Sequence, residues 1–211
     1  MFSLDDKILK GTTTIGLTCK DGIVFAADKR ASWGSFIASK QAKKTFKLNE
    51  YVGATVAGGV GDAESLMRLM QAEASLYQIN NRKPMTAKAV ATLLANILQG
   101  NKYYPYMVQL LIGGYSKDDG PQLFTLDPVG GLIEEDMAGS GSGSPVAYGV
   151  LEHLYDKEKT VAENLPVAVK ALKSAMQRDS ATGDGMSVVT VTERGYEQLS
   201  EKDIANLLKG A

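Results

Sequence analysis

The stretch Gly11-Thr12-Thr13-Thr14-Ile15-Gly16-Leu17-Thr18-Cys19 decides how the rest of the chain is read. Threonine and isoleucine are stiff at the first side-chain torsion and suit the pleated surface of a strand. Residues 12–19 alternate, with Ile15 and Leu17 on one face. Asp21-Gly22 follows, a strong hairpin signal. Beyond it the apolar run Ile23-Val24-Phe25-Ala26-Ala27 closes on Asp28. Two antiparallel strands, 12–19 and 23–28, are therefore predicted.

Residues 44–48 and 51–57 read as a second strand pair, with Asn49-Glu50 at the turn. From Asp62 the period becomes helical, with Ala63, Leu66, Met67, Met70, Ala74 and Tyr77 on one stripe. Pro84 and Thr86 open a second helix, Thr86 as its cap, with Val90, Leu93, Leu94 and Ile97 on its apolar side. Strands resume at 106–115, 121–127 and 132–138, joined by glycine turns. Ser144-Pro145 starts a third helix, and a fourth runs from Val161 to about Arg178. Strands 186–193 and 195–199 and a short helix complete the chain. The expected fold is α+β: two antiparallel sheets face to face, each covered outside by a helix pair, a four-layer αββα sandwich that buries every apolar stripe.

The 211 residues suit one domain, and 23 basic against 24 acidic side chains leave a net charge of -1. That balance gives no electrostatic footprint for nucleic acid and is compatible with self-association. No apolar run approaches the roughly 20 residues needed to span a bilayer. Residues 1–11 do not read as a secretory signal. One cysteine, Cys19, and one histidine, His153, cannot by themselves build a metal site, so no metal or other cofactor is expected. A reducing, cytoplasmic compartment is the simplest reading of a single thiol.

Four places do not fit a plain core. Lys44 shares its strand face with Phe46 and Leu48, so it either snorkels to solvent or points inward with a tuned charge. Asp28 ends an apolar strand; it is either a turn residue or a buried carboxylate needing a cation, with Arg30 and Lys44 as candidates. Gly139-Ser140-Gly141-Ser142-Gly143-Ser144 is either a flexible lead-in to a helix or a loop that presents a serine hydroxyl. It has no lysine at Walker spacing, which weakens a nucleotide-site reading. Arg178-Asp179-Ser180-Ala181-Thr182-Gly183-Asp184-Gly185 is either a helix end with a turn or a cluster of hydroxyls and acids. His153 lies in a helical stretch away from any nucleophile motif, which directs hydrolytic chemistry to a base other than imidazole.

Taken together the motifs resemble proteasome β subunits of the archaeal type. The matching pieces are Gly11 to Gly16 (GTTTIG), Ala27 to Arg30 (ADKR), Lys43-Lys44, Val56 to Ala63 (VAGGVGDA) and Pro105 to Gly114 (PYMVQLLIGG). Gly141 to Pro145 (GSGSP), Tyr148 to Glu152 (YGVLE) and Arg178 to Gly183 (RDSATG) complete the set. They run in the family's order and spacing from residue 11 to near 200.

The resemblance implies an N-terminal nucleophile hydrolase, a threonine endopeptidase. Residues 1–11 would be a propeptide, cut between Gly11 and Thr12 by Thr12 itself, leaving 12–211 as one catalytic domain. Thr12 would be the nucleophile and its freed amine the base. Lys44 would sit beside Thr12, Asp28 would orient Lys44, and Ser142 and Asp179 would complete the network near the amine. The Gly58 N–H would hold the oxyanion, with Arg30 and Thr182 in support; Thr182 stands where the family usually has serine. Ala31, Ala42, Phe46, Val56, Val60 and Glu64 match the pocket for the side chain before the cut, which implies fastest cleavage after Leu, Tyr or Phe. The implied partners are further copies in paired seven-membered rings, rings of α subunits, an ATP-driven unfoldase and unfolded polypeptide substrate. A non-catalytic ring subunit, an anion- or nucleotide-binding domain built on 139–144 and the bacterial two-ring relative of the family are the alternatives.

Overall fold

Strands buried on both faces need an apolar layer on each side, and β1 (Thr14–Cys19) and β2 (Gly22–Asp28) are such strands. Ile15, Leu17, Val24 and Ala26 face one apolar cluster, and Ile23 and Phe25 face another. The computed structural model describes residues 11–209, so the proposed propeptide up to Lys10 lies outside the described residues.

The remaining strands are β3 (Ala31–Trp33), β4 (Phe36–Ser39), β5 (Thr45–Asn49), β6 (Val52–Gly58), β7 (Val108–Ser116) and β8 (Gly120–Leu126). They continue with β9 (Leu132–Glu134), β10 (Met137–Ser140), β11 (Met186–Thr192) and β12 (Gly195–Gln198). The helices are α1 (Val60–Asn81), α2 (Ala87–Gly100), α3 (Ser144–Leu154), α4 (Val161–Arg178) and α5 (Glu201–Lys209). One sheet has the order β10-β1-β2-β11-β12, the other β5-β6-β7-β8-β9, and every pairing is antiparallel.

Three apolar clusters make four layers. One joins α1 and α2 to the second sheet, a second joins α3, α4 and α5 to the first, and the third lies between the sheets. The αββα sandwich expected from the pattern is the observed fold. Thr86 caps α2, its side chain accepting from the Ala89 N–H at 3.3 Å. Glu163 reaches back to the Thr160 N–H at 2.9 Å and closes a capping box at the start of α4. Among the described residues no helix is long and apolar enough to cross a membrane.

Two features depart from the expectation. The run 132–138 is not one strand: β9 pairs with β8 in the second sheet, while β10 pairs with β1 in the first. Glu135 and Asp136 carry the chain between sheets, the Glu135 N–H donating to Leu123 O at 3.0 Å and the Thr18 N–H to Asp136 O at 2.8 Å. A period of two reports a face and is blind to which sheet the strand joins. The second departure is the β3–β4 hairpin, absent from the sequence reading. Gly34, at φ 58°, makes its turn, and the flanking Trp33 and Phe36 are exposed, so no apolar alternation announced it.

Phe25 shows how the two sheets meet. A methyl built on Gly16, Gly53 or Gly113 would come within 3.3, 3.2 or 2.8 Å of its ring, so three glycines on three strands clear the space it fills. Phe25→Ala should therefore cost about 3–5 kcal/mol, because the neighbouring strands cannot collapse into the hole. The urea midpoint measures this, and a loss below about 1 kcal/mol would contradict it.

Candidate active site

Asp28 ends β2 with no exposed surface, where an ionised carboxylate is stable only with several donors. It has four. Oδ1 accepts from Lys44 Nζ at 2.6 Å and the Thr13 N–H at 2.9 Å; Oδ2 accepts from the Arg30 and Gly183 N–H groups, each at 3.0 Å.

Lys44, just before β5, points inward and is 6% exposed, so the solvent-snorkelling alternative is overturned. Its ammonium also lies 3.4 Å from the Gly11 carbonyl oxygen. Burial pushes the Lys44 ammonium below its ordinary value, opposed by the charge and hydrogen bond of Asp28. Lys40, Lys43 and Lys47 are exposed.

Arg30 is not the cation of Asp28. Its guanidinium turns away to Asp184 Oδ2 at 2.6 Å and Ser180 O at 2.6 Å, and only its backbone N–H reaches Asp28. The Asp184 hydrogen bond raises Arg30 above its ordinary value, and the same bond lowers Asp184. Arg30 thereby ties β2 to the loop between α4 and β11, the loop that supplies the Gly183 amide.

The Thr12 hydroxyl donates to the carbonyl oxygen of Gly11. On its other side the Thr12 N–H donates to Ser142 Oγ at 3.4 Å. Ser142 Oγ and Thr182 Oγ1 both donate to Asp179 Oδ2, each at 2.5 Å. With both of those protons committed, the Thr13 hydroxyl is the donor in its 2.7 Å contact with Thr182. The segment 139–144 thus follows the serine-presenting alternative, except that Gly139 and Ser140 belong to a strand rather than a loop. Those two residues end β10, and Ser142 is presented by the turn that follows.

Gly58 ends β6 at φ 127°, a conformation only glycine adopts easily, and a methyl there would strike the Met107 carbonyl. It walls two cavities that flank Thr12. The first, about 300 Å³, is lined by all six residues matched to the pocket: Ala31, Ala42, Phe46, Val56, Val60 and Glu64. Glu64 is exposed at the rim and pairs with Arg68 at 3.4 Å. Lys43 lies 5.1 Å from the centre of the Phe46 ring. The second cavity, about 290 Å³, lies on the side of Ser142. His153 is exposed on α3.

The structure brings Thr12, Asp28, Lys44, Ser142, Asp179, Gly58 and Thr182 into one place. Sequence reasoning missed Thr13, whose amide and hydroxyl join Asp28 to Thr182. It named Asp184 within the cluster 178–185 but not its Arg30 partner, and it missed a hydroxyl chain in which Thr55 donates to Thr14 at 2.9 Å and Thr14 contacts Ser140 at 2.7 Å. The signal for Thr13 was present: three consecutive threonines put hydroxyls on both faces of a strand buried on both faces. A hydroxyl beside a buried ammonium and an acceptor-lined nitrogen can act as an activated nucleophile.

Lys44 has a pH signature. A lysine held below its unfolded value binds fewer protons when folded. Its penalty is full in acid and fades as pH climbs from the folded value to the ordinary 10.5. Asp28→Asn removes the opposing charge and lowers Lys44 further. It should cost about 3–5 kcal/mol near neutrality, with a smaller deficit near pH 10. Urea midpoints across that range check this; a deficit that grows with pH would overturn it.

A family model described as Proteasome subunit matches residues 8–191. The chain is 51% identical over 207 residues to "Proteasome subunit beta" of Ferroglobus placidus, covering 98% of each. It is 50% identical to the protein of that name from Methanocaldococcus vulcanius, over 95% of this chain and 90% of that one. For the one from Archaeoglobus profundus the figures are 51%, 97% and 95%. With a family model spanning most of its length and half its residues shared with archaeal relatives, the chain belongs to the proteasome family as a β subunit of the archaeal type.

Proposed function

We propose that this β subunit is a threonine endopeptidase that matures by cutting its own chain between Gly11 and Thr12. The observation that carries the reading is the buried Lys44 ammonium, 2.6 Å from Asp28 and 3.4 Å from the Gly11 carbonyl oxygen, beside the Thr12 hydroxyl. In maturation Thr12 Oγ attacks the Gly11 carbonyl carbon. The C–N bond breaks to give an ester and a free Thr12 amine, and water then releases residues 1–11. Residues 12–211 remain as the catalytic domain.

In the mature chain the nucleophile and its base share one residue. The amine, with a reference pKa of about 7.7–8.0, takes the hydroxyl proton as Oγ attacks a peptide carbonyl and returns it to the leaving amine. Lys44 keeps positive charge beside the developing alkoxide, and Asp28 fixes its direction. Ser142 and Asp179 orient the amine, with Thr182 and Arg30 bracing the loop beneath them. The Gly58 N–H holds the oxyanion, a donation worth about 2.7–4 kcal/mol of barrier in other enzymes.

The cavity of Ala31, Ala42, Phe46, Val56, Val60 and Glu64 takes the side chain before the cut. Its apolar floor supports a preference for Leu, Tyr and Phe, and Arg68 offsets the charge of Glu64 at the rim. The subunit works in paired heptameric rings of its own copies, closed by α-subunit rings in the cytoplasm and fed unfolded polypeptide by an ATP-driven unfoldase.

In the particle assembled with its α partner, wild-type chain should have the mass of 12–211 and cleave a Leu- or Tyr-ending fluorogenic peptide. Thr12→Ala should keep the full-chain mass and lose more than about a thousandfold in kcat. Full-chain mass together with full wild-type activity contradicts the mechanism. Fastest cleavage after acidic residues contradicts the pocket assignment.

A further inference from the structure

In the proposed mature chain Thr12 is the first residue, and chain ends fray unless something ties them down. β1 starts only at Thr14, so the tie must come from Thr12 itself or from Thr13. The backbone contacts of Thr12 are long. Its N–H donates to Ser142 Oγ at 3.4 Å, and the Gly143 N–H donates to its carbonyl at 3.4 Å. Those of Thr13 are shorter. Its N–H donates to Asp28 Oδ1 at 2.9 Å, the Asp28 N–H donates to its carbonyl at 3.2 Å, and its hydroxyl meets Thr182 Oγ1 at 2.7 Å.

The space for that hydroxyl is closely fitted. A methyl built on Gly143 would strike Thr13 Oγ1 and come within 3.1 Å of Thr182 Oγ1 and 3.2 Å of the Ala175 methyl. Thr13 has no exposed surface and lines neither cavity beside Thr12, so it cannot touch a substrate.

We infer that the Thr13 hydroxyl is a positioning group for the Thr12 amine, acting through Thr182 and Asp179. The direction of the protons carries the inference. Because Thr13 donates to Thr182, the proton of Thr182 is left for Asp179 Oδ2 at 2.5 Å. Asp179 Oδ1 meanwhile accepts from the Ala181 N–H at 3.2 Å. Ser142 donates to Oδ2 as well, at 2.5 Å, which turns a lone pair of Ser142 Oγ toward the Thr12 nitrogen. An amine that gives its N–H to Ser142 keeps its own lone pair for the Thr12 hydroxyl proton. Without the Thr13 hydroxyl, Thr182 is free to turn from Asp179, and the carboxylate that orients Ser142 loses a fixed donor.

The inference rests on Thr12 as nucleophile, and its test separates the two. Thr13→Val keeps the shape of the side chain and removes the hydroxyl. In the particle assembled with its α partner, activity is expressed per chain with the mass of 12–211. On the Leu- or Tyr-ending fluorogenic peptide, Thr13→Val should lower kcat about ten- to thirtyfold and leave KM within about twofold of wild type. Thr13→Ser restores the donor and should recover kcat to within about threefold. A double variant, Thr13→Val with Thr182→Val, should lose no more than Thr182→Val alone, since both break one chain.

Wild-type kcat in Thr13→Val overturns the inference, and so do losses that multiply in the double variant. A loss as deep in Thr13→Ser as in Thr13→Val makes the role structural and overturns it too. So does failure of both Thr13→Val and Thr13→Ala to assemble and mature. All of these leave the peptidase intact. A wild-type particle that cleaves no peptide sinks the nucleophile assignment instead.

Discussion

Asp28 has no exposed surface, and its carboxylate is stable there only because four donors from different parts of the chain converge on it. Each oxygen has a separate task. Oδ1 takes Lys44 and the Thr13 amide, so it fixes the ammonium relative to the threonine run. Oδ2 takes the Arg30 and Gly183 amides, so it fixes the loop that holds Asp179 and Thr182. Removing the charge would therefore loosen both halves of the site together. A paired ammonium in a dry setting also keeps a field that water would quench, and this makes it useful beside a hydroxyl.

The sandwich is what lets such a group exist. Apolar layers on both faces of β1 and β2 exclude water from the strand end that bears Asp28. The tight fit of Phe25 against Gly16, Gly53 and Gly113 sets how closely the two sheets approach. The hydroxyl chain Thr55–Thr14–Ser140 crosses the same gap and links β6 to β1 and β10. Because Gly58 ends β6 and Thr12 precedes β1, a shift between the sheets would separate the proposed oxyanion donor from the hydroxyl. Packing in the middle of the molecule is thus a condition of geometry at its edge.

Much of this was legible in the residues. The helices announced themselves by stripes and caps, and both strand pairs by alternation and turn residues. Asp28 and Lys44 stood out because charge at an apolar position demands a partner, but periodicity left open which cation would supply it. Arg30 shares the strand face with Asp28, yet its long side chain finds Asp184 and the Ser180 carbonyl. Only three-dimensional placement separates those outcomes. The β3–β4 hairpin was illegible because Trp33 and Phe36 are exposed, and local patterns record burial. The division of 132–138 between sheets was hidden for a related reason: pairing partners are non-local. Motif resemblance gave Ser142, Asp179 and Gly58 their roles, since a lone serine, aspartate or glycine in a loop does not state one by itself.

The contacts of Asp28 and Thr13 also fix when the site comes into being. Thr13 bonds to Asp28 and to Thr182, and Asp28 reaches forward to Gly183, so the first strands wait for a loop more than 150 positions downstream. Closing so long a span comes late in folding, after the cost of ordering both halves has been met. A ribosome-bound chain that has not yet emitted Gly183 holds Thr12 and Lys44 without the frame that aligns them. Order of synthesis thereby acts as a safety catch, keeping the proposed catalytic cluster unformed until the fold around it is whole.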